Sequence, residues 1–121
     1  MLAVYVAGKM SDKDPIKFLR NINKLQEWTA MLRDRGFAPF PVADDFADIM
    51  RTAEHVSMEM IKEASMVWLR RADCVFVTPG WEDSRGTRDE IAEARRLNIP
   101  VMYSLACLHQ WAESMEGGRR G

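Results

Sequence analysis

The chain has 121 residues, 47% of them hydrophobic and 29% charged, a length for one domain and a composition that excludes a fibrous or wholly disordered protein. A chain of this size removes roughly two-thirds of its unfolded surface from water on folding, so neither a metal nor a disulfide is needed to hold it. Seventeen basic residues against eighteen acidic ones leave a formal charge of -1, which excludes the broad positive field that polymeric nucleic acid or a membrane surface selects and points to a small-molecule ligand.

In chain order, short apolar runs rich in β-branched residues alternate with longer stretches of helical period, the pattern of a parallel sheet with helical crossovers. The run Leu2 to Ala7, ending at Gly8, reads as a central strand covered on both faces. It is too short to span a bilayer and no basic region precedes it, so no targeting signal is expected. Asp14 and Pro15 suit a helix cap and first turn, and Phe18, Ile22, Leu25, Trp28, Met31 and Leu32 follow at helical spacing. Gly36 is expected to end this helix as a left-handed cap. Phe37 to Val42 carries Pro39 and Pro41, which cannot donate ladder hydrogen bonds, so this strand belongs at an edge.

From Asp44 to Arg71 helical spacing breaks around His55 to Ser57, giving two helices in place of one. Asp73 to Thr78 is a third strand; Ser84 or Thr87 opens a helix running to about Leu97; Pro100 to Ser104 is a fourth strand; Leu105 to Met115 is a last helix. Residues 1–116 are thus expected to form one domain, with 117–121, two glycines and two arginines among them, as a flexible tail.

Cys74 and Cys107 form no CxxC pair, and Cys74 lies in an apolar run as a small buried thiol would, consistent with a reducing, cytoplasmic setting. His55 and His109 lack partners at metal-ligand spacing, so no metal is expected. Met50, Met58, Met60 and Met66 read as core filling. Trp28, Trp68 and Trp111 fit either core or an interface.

In an open parallel sheet, ligands bind beyond the carboxyl ends of strands where neighbouring crossovers leave on opposite faces. If the first and third strands are neighbours, the loops Gly8 to Asp14 and Pro79 to Gly86 face each other. That brings Tyr5, Gly8, Lys9 and Met10 towards Trp81, Asp83, Ser84 and Glu90. The segment PGWEDSRGTRDE places glycine, hydroxyls and Arg85 or Arg88 at a helix start, whose free N–H groups and partial positive charge suit a phosphate. A structural alternative is that Thr87 and Glu90 form a capping box, with the glutamate bonded back to the backbone. Trp81 fits a base-stacking role or a plug onto the core, and Lys9 fits a phosphate partner or a solvated lysine.

Three features together, VYVAGKM at the first strand, the aspartate of the AD pair opening the third, and PGWEDSRGTRDE, resemble the nucleoside 2-deoxyribosyltransferase-like superfamily, most closely its small, mostly phage and bacterial DUF4406-type branch. The likeness spans nearly the whole chain. It implies a doubly wound, flavodoxin- or Rossmann-like α/β domain with a parallel sheet of four to five strands and helices on both faces. It further implies cleavage of the N-glycosidic bond of a nucleoside or nucleoside 5'-monophosphate, without a cofactor, in a homo-oligomer whose subunits complete one another's pockets.

Carried onto this chain, the resemblance makes Glu90 the nucleophile at C1', Tyr5 the tyrosine that orients it, and Asp73 an aspartate of the base side that delivers a proton, with Asp83 the other carboxyl able to protonate the base. Ser84 stands where the transferases carry an aspartate that holds the sugar hydroxyls. With Arg85, Gly86 and Thr87 it leans towards the phosphate-docking helix start of the monophosphate glycosidases, hence towards hydrolysis. A non-catalytic nucleotide sensor of the same fold is the alternative. A carboxylate near a positive helix start is expected to stay ionised. One conflict is visible: Asp73 precedes a strand of about 20 Å at the usual rise per residue and Glu90 follows its other end, so the two meet only if the neighbouring chain supplies Asp73.

Overall fold

The computed structural model describes residues 1–44, 46 and 57–120, with only the backbone given for Met58 and residues 117–120. Four strands, β1 (Ala3–Ala7), β2 (Ala38–Phe40), β3 (Cys74–Val77) and β4 (Val101–Met102), are all parallel and lie in the order β2-β1-β3-β4. Four helices bear on the argument: α1 (Pro15–Asp34), α2 (Met58–Arg71), α3 (Arg85–Arg96) and α4 (Leu105–Arg120). Residues 42–44 and 46 are also helical. His55 and Met50 lie outside the described residues, as does most of the break expected near His55, but its last residue, Ser57, is the N-cap of α2 and accepts from the Met60 N–H.

The sheet is wound from its middle outward. Successive residues of a strand face opposite ways, and each face of β1 and β3 is apolar. Leu2, Val4, Val6, Cys74 and Phe76 pack on Ile22, Leu25 and Leu32 of α1 and Leu108 and Ala112 of α4. Tyr5, Ala7, Val75 and Val77 pack on Leu69 of α2 and Ile91 and Ala94 of α3. Burying one such aliphatic side chain is worth about 1.5–3 kcal/mol, so two-sided burial holds the inner strands hardest. The crossovers after β1 and β3 therefore leave on opposite faces, and the crevice lies where they part.

The expected punctuation appears where the chemistry demands it. Asp14 caps α1 by accepting from the Ile16 N–H, with Pro15 at the first helical position. Gly36 takes φ +89° just beyond the helix, a conformation that costs other residues. The proline-bearing strand is the edge strand β2. Trp28 is a core-side residue tilted on Phe76 at 5.2 Å, Trp111 packs partly buried against the same layer, and Trp68 is 51% exposed and stacked on Phe40. Helix α4 continues past Met115 to Arg120, through Gly117 and Gly118. Among the described residues no helix is long and apolar enough to cross a membrane.

Candidate active site

The crevice between the ends of β1 and β3 contains a cavity of about 260 Å³. Ten of the residues singled out above line it: Tyr5, Gly8, Lys9 and Met10 from β1 and its loop, and Asp83, Ser84, Arg85, Gly86, Thr87 and Glu90 from the loop after β3 and the start of α3. The backbone approach that shapes this floor requires Gly8. A Cβ there would overlap the Thr78 side chain and come within 2.5 Å of Leu25 Cδ2. Gly86 differs, since a Cβ at that position meets nothing within 4 Å. The space over the helix start is open.

Ser84, not Thr87, caps α3: its Oγ accepts from the Thr87 N–H at 3.3 Å and shares a 2.9 Å hydrogen bond with Thr87 Oγ1. Thr87 is consumed by that arrangement, so the Thr87–Glu90 capping box does not form. Glu90 falls in the second turn, where the backbone N–H groups are already used within the helix. Its half-buried carboxyl lines the cavity instead.

Burial pushes the Glu90 carboxyl up to a pKa of about 7, offset in part by the hydrogen bond it accepts from the Tyr5 hydroxyl and reinforced by the neighbouring charge of Asp89. This departs from the expectation that the helix start keeps it ionised. The dipole effect fades within the first turn, whereas desolvation acts wherever the carboxylate loses water. Tyr5 itself is fully buried and stacked on Phe40 with ring centroids 5.7 Å apart, which fixes the direction of its hydroxyl.

Lys9 bonds Asp83 across the mouth, Nζ to Oδ2 at 2.7 Å. The hydrogen bond from Lys9 lowers the Asp83 pKa, and Asp83 in turn raises that of Lys9. Both expected ligand contacts are therefore engaged with each other, and Asp83 is held ionised, which suits a proton donor poorly.

Two of the expected site residues lie away from this chain's own cavity. Asp73 stands at the amino end of β3, where its Oδ2 accepts the Ala3 N–H at 2.7 Å, and it does not line the cavity. The parallel strand direction that carries β3 to the crevice starts Asp73 away from it. Trp81 also lies outside this cavity; it packs against the α2–α3 core layer and tilts on Tyr103 at 5.5 Å, the plug reading of the two open to it.

Helix α2 supplies a wall that sequence reading missed, with Ile61, Lys62, Ser65 and Met66 facing the cavity, and Asp89 joins from α3. Lys62 and Ser65 are three apart, one helical face. No sequence pattern singled that pair out, since a polar residue on a helix is ordinarily solvated. Cys74 is buried, its thiol pushed up to about 12 by loss of water, and Cys107 is exposed; both are free thiols. Among the described residues no three His, Cys, Asp or Glu side chains group to hold a metal.

A doubly wound parallel sheet with order β2-β1-β3-β4 and a carboxyl-lined crevice at its switch point is the nucleoside 2-deoxyribosyltransferase-like fold. The structure is similar to that of a 2-deoxyribosyltransferase from the psychrotolerant bacterium Bacillus psychrosaccharolyticus, with TM-score 0.60 and 19% sequence identity over 82% of this chain and 69% of that one. At that identity the likeness defines the fold. Residues 2–103 match the family model described as Domain of unknown function (DUF4406), and the chain belongs to that family. No curated protein sequence matches it.

Proposed function

We propose that this protein cleaves the N-glycosidic bond of a (deoxy)nucleoside 5'-monophosphate, with Glu90 as nucleophile and water as the preferred acceptor. The observation that carries the reading is the Glu90 carboxyl, turned into the cavity, free of its own helix backbone and oriented by Tyr5. Breaking such a bond builds positive charge on the sugar ring and negative charge on the leaving base. The ionised Glu90 carboxylate attacks C1', the C1'–N bond breaks with its electron pair passing to the base, and a glycosyl ester forms. Water then attacks C1', breaking the ester and returning the carboxylate, its proton passes to the departed base, and the sugar phosphate is left. Ser84, Gly86, Thr87 and Arg85 surround the position suited to the 5'-phosphate, and Lys62 and Ser65 face it from α2. A transferase of this fold, acting by its name on 2-deoxyribosyl groups, supports the same class of reaction. The free thiols of Cys74 and Cys107 agree with a cytoplasmic enzyme, and a homo-oligomer is the expected assembly.

The second reading, a nucleotide sensor without turnover, is favoured by one observation: Asp73 does not line this chain's cavity and Asp83 is held ionised, so the leaving base has no evident acid beside it. Incubation with each 5'-deoxynucleotide and ribonucleotide, following free base by chromatography, separates the two. The enzyme releases base and Glu90→Gln does not. A sensor binds nucleotide, measured by titration calorimetry, and releases none.

A further inference from the structure

Helix α2 is apolar on two faces. One face is used by its own chain: Ile61 and Leu69 are buried, and Ser65 and Met66, half-buried, line the Glu90 cavity. The other looks outward. Met60 is 56% exposed, Val67 42% and Trp68 51%, with Ala64 and Arg71 also exposed. A helix that packs on one core needs a single apolar stripe, and a second stripe left in water marks a surface that docks. Trp68 lays one face on Phe40 of the edge strand β2, with ring centroids 5.4 Å apart, which fixes the indole beside that stripe.

The spacing says what docks. Met60, Ala64, Val67 and Arg71 are separated by four, three and four residues, the seam of helices packed side by side, and the order is the same read from either end. About a two-fold axis level with Ser65 and Met66, Met60 of one copy meets the stem of Arg71 of the other, and Ala64 meets Val67. The small Ala64 side chain lets the two helices approach to the usual interaxial distance of about 8–10 Å.

The charges select the same direction. Glu59 and Glu63 stand towards the amino end of α2, and Arg70 and Arg71 form its carboxyl end. An antiparallel pair sets Glu63 of each copy, flanking the seam, against Arg70 of the other, and symmetry repeats the contact. A parallel pair would set Glu63 on Glu63 and Arg70 on Arg70. Arg70 touches Glu93 of its own chain through Nε at 3.5 Å, and a guanidinium has further donors to spare.

We infer that the outer face of α2 binds a second copy of this chain, through an antiparallel, two-fold symmetric pairing of α2 with α2. This gives the expected homo-oligomer one defined surface and is independent of the reaction proposed at Glu90.

Sedimentation equilibrium of the full chain, from micromolar to submillimolar protein, should give twice the chain mass or an even multiple of it. Val67→Glu, a change at an exposed position, should halve that mass and keep the wild-type helical circular dichroism. The register is tested by disulfide trapping in a Cys107→Ser background, so that only introduced thiols are exposed. Oxidation of an equal mixture of Ala64→Cys and Val67→Cys chains should yield about tenfold more linked dimer than either variant alone, because only positions that face each other come within disulfide reach. The inference is overturned by a wild-type monomer across the whole range, by Val67→Glu chains that associate as the wild type does, or by a mixture that links no better than the single variants. Base release from nucleotide is read separately: release by a chain that never associates defeats the pairing alone, and association without release defeats the reaction alone.

Discussion

The two ends of the β1–β3 pair each carry a carboxylate with a motif match to function, and the fold uses them differently. At the amino end Asp73 is exposed and bonded to the Ala3 backbone N–H, a tie between neighbouring strands. At the carboxyl end Glu90 is half-buried in a cavity, bonded by a tyrosine hydroxyl and raised to a pKa of about 7. The groups are chemically alike. What separates structure from chemistry is the end of a parallel sheet at which each sits, because only the carboxyl ends, at the switch point, leave room for a ligand.

The widest gap between the two ends should appear in turnover. Glu90→Gln is expected to cut base release on the order of a hundredfold or more, the scale for removing a principal catalytic group, while Asp73→Asn stays within about threefold and costs about 1 kcal/mol of stability. A hundredfold loss in Asp73→Asn would reverse the assignment of the two ends.

Stability against pH sharpens the same contrast. Because burial pushes the folded Glu90 carboxyl up to about 7 from an ordinary value of 4.5, the folded state binds its proton more tightly. Stability is therefore lost as pH rises between those values and is constant beyond them. Replacing the group by neutral glutamine removes the penalty, so Glu90→Gln should gain on the wild type by about 3 kcal/mol between pH 4 and pH 8 in denaturant titrations. The variant that loses activity should be the more stable protein at pH 8.

The glycines of the site form the next pair. Gly8→Ala places a methyl against Thr78 and Leu25, and overpacking of this kind costs about 1–3 kcal/mol in thermal or chemical unfolding. Gly86→Ala meets open space in a helix and should stabilise by about 0.5–1 kcal/mol, while weakening nucleotide binding because the methyl enters the cavity. The effect confined to one limb of the pH profile belongs to Tyr5→Phe. Without the hydroxyl, the Glu90 pKa rises further, so the acidic limb of the rate profile moves to higher pH and activity near pH 6.5 falls by up to about tenfold, with little change above pH 8.

Much of the sheet was legible because its signals are local. An uninterrupted apolar run marks β1 and β3, prolines 39 and 41 exclude β2 from the centre, and Asp14-Pro15 and Gly36 bound α1. The two loops of the crevice followed from adjacency of β1 and β3. Helix α2 was not read as a wall of the site, since periodicity reports which side chains are apolar and not which open space the remaining ones meet; Lys62 and Ser65 become functional candidates only once α2 is placed. The helix start was legible as a choice between two residues, because Ser84 and Thr87 are both able caps and the choice, which fell on Ser84, depends on the loop that delivers them. Asp73 illustrates the limit of motif matching, which transfers a residue type and leaves its direction along the strand to geometry.

The account stands on Glu90 forming a bond to the sugar. Rapid acid quench of the protein with a cleaved nucleotide, followed by mass spectrometry of its peptides, should find a sugar phosphate on the peptide containing Glu90 and none in Glu90→Gln. Base release at the wild-type rate by Glu90→Gln, with the sugar attached elsewhere or nowhere, would contradict it.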